Sequence, residues 1–168
     1  MKKIFSISAS AVFGWALLLA SPAVADTTSG TSAASVVVPV TVVATTAAMD
    51  LGSFSAGTGG TVTLTPDGSG GSVSVGSGMS HFGGQQEAVF TVTGATSTAY
   101  TFSVTSGGNL SGPTGSGTLT MTPTYSHNAA SSLDGSGSDV VEVGASVVVA
   151  ADQEAGAYSG TFTVTVNY

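Results

Sequence analysis

Residues 156–168 read Gly-Ala-Tyr-Ser-Gly-Thr-Phe-Thr-Val-Thr-Val-Asn-Tyr. Tyr158, Phe162, Val164, Val166 and Tyr168 fall on one side of a period-two alternation. Ser159, Thr161, Thr163, Thr165 and Asn167 fall on the other. Successive side chains of a strand point to opposite faces, so this pattern predicts a half-buried β-strand. It lies at the end of the sequence, with no later hairpin partner. Such a strand either closes a sheet inside its own domain or forms an edge that another chain completes.

The other end of the sequence reads as an export signal. Lys2 and Lys3 form a positive n-region, residues 9–20 an apolar h-region, and Ala23-Val24-Ala25 a small-residue cleavage site. The apolar run is about half the ~20 residues that a spanning helix needs. The expectation is cleavage after Ala25, with no membrane insertion afterwards and passage through the periplasm to the cell surface.

Removing 25 of the 168 residues leaves 143, enough for one core without staples. Both Lys+Arg residues lie in the signal, so the mature chain carries nine acids, no Lys or Arg, and a formal charge of −9. Nucleic-acid binding and attraction to anionic lipid both need cations, and a Walker loop needs its Lys; all three are excluded. There is no cysteine, although an exported chain is free to form disulfides. Stability has to come from burial and hydrogen bonding.

Residues 26–35 are small and polar, a flexible leader by composition. Residues 36–43 form a dense apolar run, Val-Val-Val-Pro-Val-Thr-Val-Val. Short strand candidates follow at residues 49–54, 61–65, 72–75, 87–93, 100–105, 118–125, 140–143 and 146–150, ahead of the terminal strand. Gly, Ser, Asp and Pro punctuate them, as at Pro66-Asp67-Gly68. No amphipathic helical repeat occurs outside the signal. Threonine and valine at strand positions with Gly-rich turns predict an all-β sandwich.

The residues offer no catalytic constellation, no metal site and no cofactor site. His81 and His127 read as surface loop histidines, without the spaced carboxylates or cysteines of a metal centre. No G-x-S-x-G elbow accompanies the many serines. Asp-Gly-Ser-Gly occurs twice, from Asp67 and from Asp134, and reads as a turn rather than a calcium loop. Asp50, Glu87, Glu142, Asp152 and Glu154 read as scattered surface acids.

With these features in hand, the chain resembles bacterial fimbrial (pilin-like) subunits of the chaperone–usher type. Its nearest likeness is to secreted Gly/Thr/Val-rich domains of unknown function. The resemblance is carried by the β-run leading into residues 47–57, by residues 155–161, and by the terminal strand. Fimbrial subunits typically end with a Gly and a penultimate Tyr twelve residues apart. Gly156 and Tyr168 keep that spacing, but Tyr168 is the final residue here. The disulfide of many such subunits is missing.

The resemblance implies an immunoglobulin-like sandwich that lacks one strand. A periplasmic chaperone lends a strand first. At an outer-membrane usher, the N-terminal extension of the next copy replaces it. On this reading residues 1–25 are the signal, 26–43 the extension and 44–168 the pilin-like domain. The donor face is Ala34, Val36, Val38, Val40 and Val42, and each buried Val contributes on the order of 1.5 kcal/mol. Pro39 marks either a tolerated edge position or the start of the first domain strand. The acceptor surface is the terminal strand: Gly156, Tyr158, Phe162, Val164, Val166 and Tyr168. The expected function is a structural subunit of a surface fimbria supporting adhesion or biofilm. The alternative is a self-contained secreted sandwich, a surface or matrix protein with a carbohydrate-binding role. The only Trp, Trp15, lies in the signal, which disfavours a sugar platform. An enzyme is not expected.

Overall fold

A computed structural model describes residues 31–113, 117–127 and 130–168. The predicted signal, its cleavage site and the start of the leader lie outside these residues. Residues 31–35 are exposed and in no strand. The compact unit spans Val36–Tyr168.

Every regular element among the described residues is a strand. In chain order these are β1 (Thr41–Thr46), β2 (Asp50–Leu51), β3 (Phe54–Ser55), β4 (Gly60–Thr65), β5 (Ser72–Val75), β6 (Ser80–His81) and β7 (Gln85–Gln86). There follow β8 (Ala88–Thr93), β9 (Ala99–Ser106), β10 (Leu110–Ser111), β11 (Thr118–Tyr125), β12 (Ala130–Ser132), β13 (Ser138–Val149) and β14 (Phe162–Asn167). The larger sheet runs β1-β8-β13-β11-β10, with β4 also on β13 and β5 on β4. The smaller runs β12-β9-β14. All pairings are antiparallel.

The two sheets face each other, because alternating apolar side chains from both meet in one core. Ala88, Phe90, Val92, Val141 and Val143 come from the larger sheet, and Tyr100 and Phe102 from the smaller. Phe90 meets Phe162 edge to face at 6.1 Å, and Phe102 meets Tyr125 at 5.4 Å. A second cluster, with Val62, Leu64, Leu119, Val147 and Val149, lies on the other half of the larger sheet. Connecting segments rather than strands of the smaller sheet pack there, among them Met49, Ala56 and Tyr158.

Several elements differ from the sequence reading for identifiable reasons. Residues 140–143 and 146–150, read as two strands around Gly144, are one strand. β13 exchanges its partner on one edge there, from β8 up to Val143 to β4 from Ala145. A side chain at Gly144 would strike the Leu64 carbonyl and the Pro66 ring, so glycine allows the close crossing. Residues 49–54 split into β2 and β3, paired with β7 and β6. The run at 36–43 does not form one strand. Val36, Val37 and Val38 are exposed and unpaired, and β1 starts only at Thr41, after Pro39. The terminal strand begins at Phe162 rather than Tyr158. Ser159 instead bridges Ser111, in the segment that crosses from the larger sheet to the smaller.

Candidate functional site: an apolar groove beside the last strand

β1 ends the larger sheet and β14 ends the smaller, so among the described residues each keeps one backbone edge without a strand partner. The two strands run in opposite directions. Thr41 pairs with Thr93 near Gly94, and Tyr168 reaches Ala95 at that same pole. Phe162 packs on Phe90, toward the other end. A groove of about 1290 Å³ opens along this seam and continues past the end of β1. Val42 and Ala44 line one side, and Phe162, Thr163 and Val164 the other. Leu119, Met121, Val147 and Val149 supply apolar side chains between them. The far end is bounded by Gly52, Ser53, Gly83 and Gly84. The charged residues that reach the lining are Asp50 and Glu154, both at its periphery. An open strand edge leaves backbone donors exposed to water, above a floor whose four apolar side chains are each only 1–5% exposed.

The predicted acceptor residues divide. Phe162, Val164 and Val166 point from β14 into the first core cluster. Tyr158 packs on the second, where its hydroxyl donates to the Glu154 carbonyl at 2.8 Å. Gly156 sits beside the Pro113 ring. Tyr168 lies just past β14, and its hydroxyl accepts the Ala95 N–H at 2.5 Å. The predicted donor residues divide as well. Ala34, Val36 and Val38 are exposed and outside any strand. Val40 is half-buried against the core, and Val42 sits in β1 opposite Val92. Residues 41–43, assigned by sequence to the extension, therefore belong to a strand of the sandwich. Ala47, Ala48, Leu119, Met121, Val147 and Val149 were not singled out from sequence. Val147 and Val149 lie in a continuous Val-Val-Val run, and what stands opposite these residues is set by segments distant in the sequence.

Several polar groups outside the groove are committed to the fold. The two Asp-Gly-Ser-Gly segments form the same turn. Asp67 Oδ1 accepts the Ser69 N–H, the Ser69 hydroxyl and the Gly71 N–H at 2.9, 3.0 and 3.0 Å. Asp134 Oδ1 accepts the corresponding groups of Ser136 and Ser138 at 2.8, 2.7 and 2.9 Å. These bonds favour the charged carboxylates. Asp67 is held below its ordinary value chiefly by the Ser69 N–H, and Asp134 chiefly by the Ser138 N–H.

Glu87, expected on the surface, is 1% exposed. Its carboxyl group accepts the N–H groups of Asp67, Gly68 and Gly70 at 2.8, 3.3 and 3.0 Å, so backbone donors satisfy a buried acid where the described residues include no Lys or Arg. His81 is a strut rather than a free loop residue. Its Nε2 donates to the Leu51 carbonyl at 3.0 Å, and its Nδ1 accepts the Gly83 N–H at 3.4 Å. His127 stands 3.4 Å from Asp139, which also accepts the Tyr100 hydroxyl at 2.6 Å. Among the described residues, no group of three or more His, Cys, Asp or Glu is placed to hold a metal ion.

No curated protein and no solved structure matches the chain. One family does, and its match begins beside the first residue of β1 and runs to the end of β14 and beyond, covering the whole sandwich. The chain belongs to the family described as Domain of unknown function (DUF4402), matched over residues 40–168.

Proposed function

We propose that this chain is a structural subunit of a bacterial surface filament, held together by strands passed from one copy to the next. The observation that carries this reading is the unpaired edge of β14 beside an apolar groove. The sandwich is then an immunoglobulin-like fold short of one strand, and an extended segment laid along β14 supplies the missing backbone partners and sets its own apolar side chains in the groove.

The donor segment is residues 31–39 of a second copy, the stretch exposed in the copy that carries it. Val36, Val37 and Val38 are 98%, 61% and 61% exposed, apolar surface that has no use in the copy that carries it. No charged residue occurs from Thr27 to Met49, so the segment enters an apolar groove without desolvating a charge. Val40 and Val42 leave the donor set, because both already pack on the core of their own copy. A copy cannot fill its own groove by folding the segment back on β1. The hairpin would turn within Val37-Val38-Pro39-Val40, and none of these residues suits the positive φ of a tight turn. During export a periplasmic chaperone lends the strand, and an outer-membrane usher exchanges it for the next copy's segment.

Sedimentation of two forms tests the reading. The chain starting at Asp26 is expected to form polymers. The chain starting at Val40 is expected to stay monomeric and to bind a peptide of residues 31–40. A chain from Asp26 that remains monomeric at every concentration, with a truncated form that ignores the peptide, contradicts it. That outcome would leave a self-contained secreted sandwich.

A further inference from the structure

We infer that Phe82 is a docking residue at the junction between successive copies of this chain, covered by the copy whose segment fills the groove. The inference rests on the filament reading and adds to it a contact outside the groove itself.

Phe82 is a large apolar side chain left 71% exposed. Its backbone is fixed. The Phe82 N–H donates to the Ser53 carbonyl at 2.8 Å, and the Ser53 N–H to the Gly83 carbonyl at 3.1 Å. On the preceding side, His81 pairs with Phe54 and bonds Leu51. An exposed ring on a fixed backbone requires little ordering when a partner covers it, which is how aromatic anchors of interfaces behave. Gly83 and Gly84, next in sequence, line the groove, so Phe82 adjoins that end without lining it.

Strand direction says who meets it. Every strand pair among the described residues is antiparallel, and antiparallel ladders are the stronger per residue. A segment antiparallel to β14 has its C-terminal end beside Phe162, toward the mouth bounded by Gly83 and Gly84. That segment runs into its own β1 at Thr41 with no linker between. The donor's sandwich must therefore abut this mouth, presenting the pole that carries Thr41, Thr93 and Tyr168. Tyr168 is itself 47% exposed there. The opposite direction would bring two Thr41 poles face to face, and each copy would then fill the other in a closed pair.

The test uses the full mature chain and its Phe82→Ala variant. The exposed ring adds little to the monomer, so thermal unfolding and binding of the 31–40 peptide are expected to stay within about twofold of wild type. Filaments of the variant are expected to fall apart about tenfold faster in denaturant. An environment-sensitive dye on Phe82→Cys, in a chain with no other cysteine, is expected to shift to the blue on assembly and not on peptide binding. Wild-type dissociation by Phe82→Ala filaments, or a dye unchanged on assembly, overturns the role of Phe82 while peptide binding keeps the groove reading. Closed pairs in place of filaments overturn the predicted direction. Failure of the peptide to bind overturns the groove reading, and this inference with it.

Discussion

The Tyr168 hydroxyl accepts the backbone N–H of Ala95 at 2.5 Å, tying the residue after β14 to the turn between β8 and β9. The ring crosses directly over Gly94, where any side chain would collide with it. The bond fixes the end of the strand whose free edge borders the groove. Tyr168→Phe removes the acceptor and is expected to lower stability by about 1 kcal/mol in chemical denaturation. Gly94→Ala has to displace the ring and is expected to cost more, about 1–3 kcal/mol. Equal stability in all three proteins would show that the contact is idle.

Glu87 holds the Asp67–Gly71 turn from beneath. Glu87→Gln keeps the shape but turns an amide NH₂ toward backbone N–H donors, so one accepting oxygen is lost. The expected loss is on the order of 2 kcal/mol, read as a lower denaturant midpoint at unchanged slope. Wild-type stability would contradict the buried-acceptor role.

Acid should loosen both Asp turns. The Asp67 and Asp134 carboxyls titrate below their ordinary value in the folded chain. As pH falls, the unfolded chain takes up protons first. Their contribution is present above about pH 4 and is lost as pH drops through the folded-state values. Thermal unfolding followed from about pH 6 to about pH 3 is expected to show a smaller fall in Tm for Asp67→Ser/Asp134→Ser than for wild type. An unchanged pH dependence would contradict this.

Alkali acts through Tyr100. Burial, then its bond to Asp139 and the charge of that carboxylate, push its hydroxyl above the ordinary value of 10.0. The folded chain keeps the proton that the unfolded chain releases. This stabilisation is complete below pH 10 and declines as pH rises through the folded-state value. Tyr100→Phe is expected to destabilise at neutral pH, because Asp139 loses a donor, and to unfold less steeply above about pH 10. Identical alkaline profiles would refute the assignment.

Much of this fold was legible because threonine and valine alternate so regularly. β4, β5, β8, β9 and β11 lie within a residue or two of where the alternation put them. Long-range geometry was not legible. Gly144 reads locally as a break, and only the crossing of β4 reveals it as a change of partner within one strand. Glu87 reads as a surface acid because its three donors come from a turn twenty residues earlier in the chain. Residues 36–43 look like a single strand, yet Pro39 divides an exposed segment from β1. The terminal strand was plain in sequence. The emptiness along its far edge was not, since an open edge is a property of the strands that are not beside it.

Hydrogen–deuterium exchange along β14 tests the central claim most directly. Its amides that do not bond to β9 should exchange rapidly in the monomer. Those of Phe162, Val164 and Val166, which alternate with the residues hydrogen-bonded to β9, should become strongly protected when the 31–40 peptide is added, and equally so in assembled chains. Amides already protected in the isolated monomer, or unchanged by peptide and by assembly, would contradict the account.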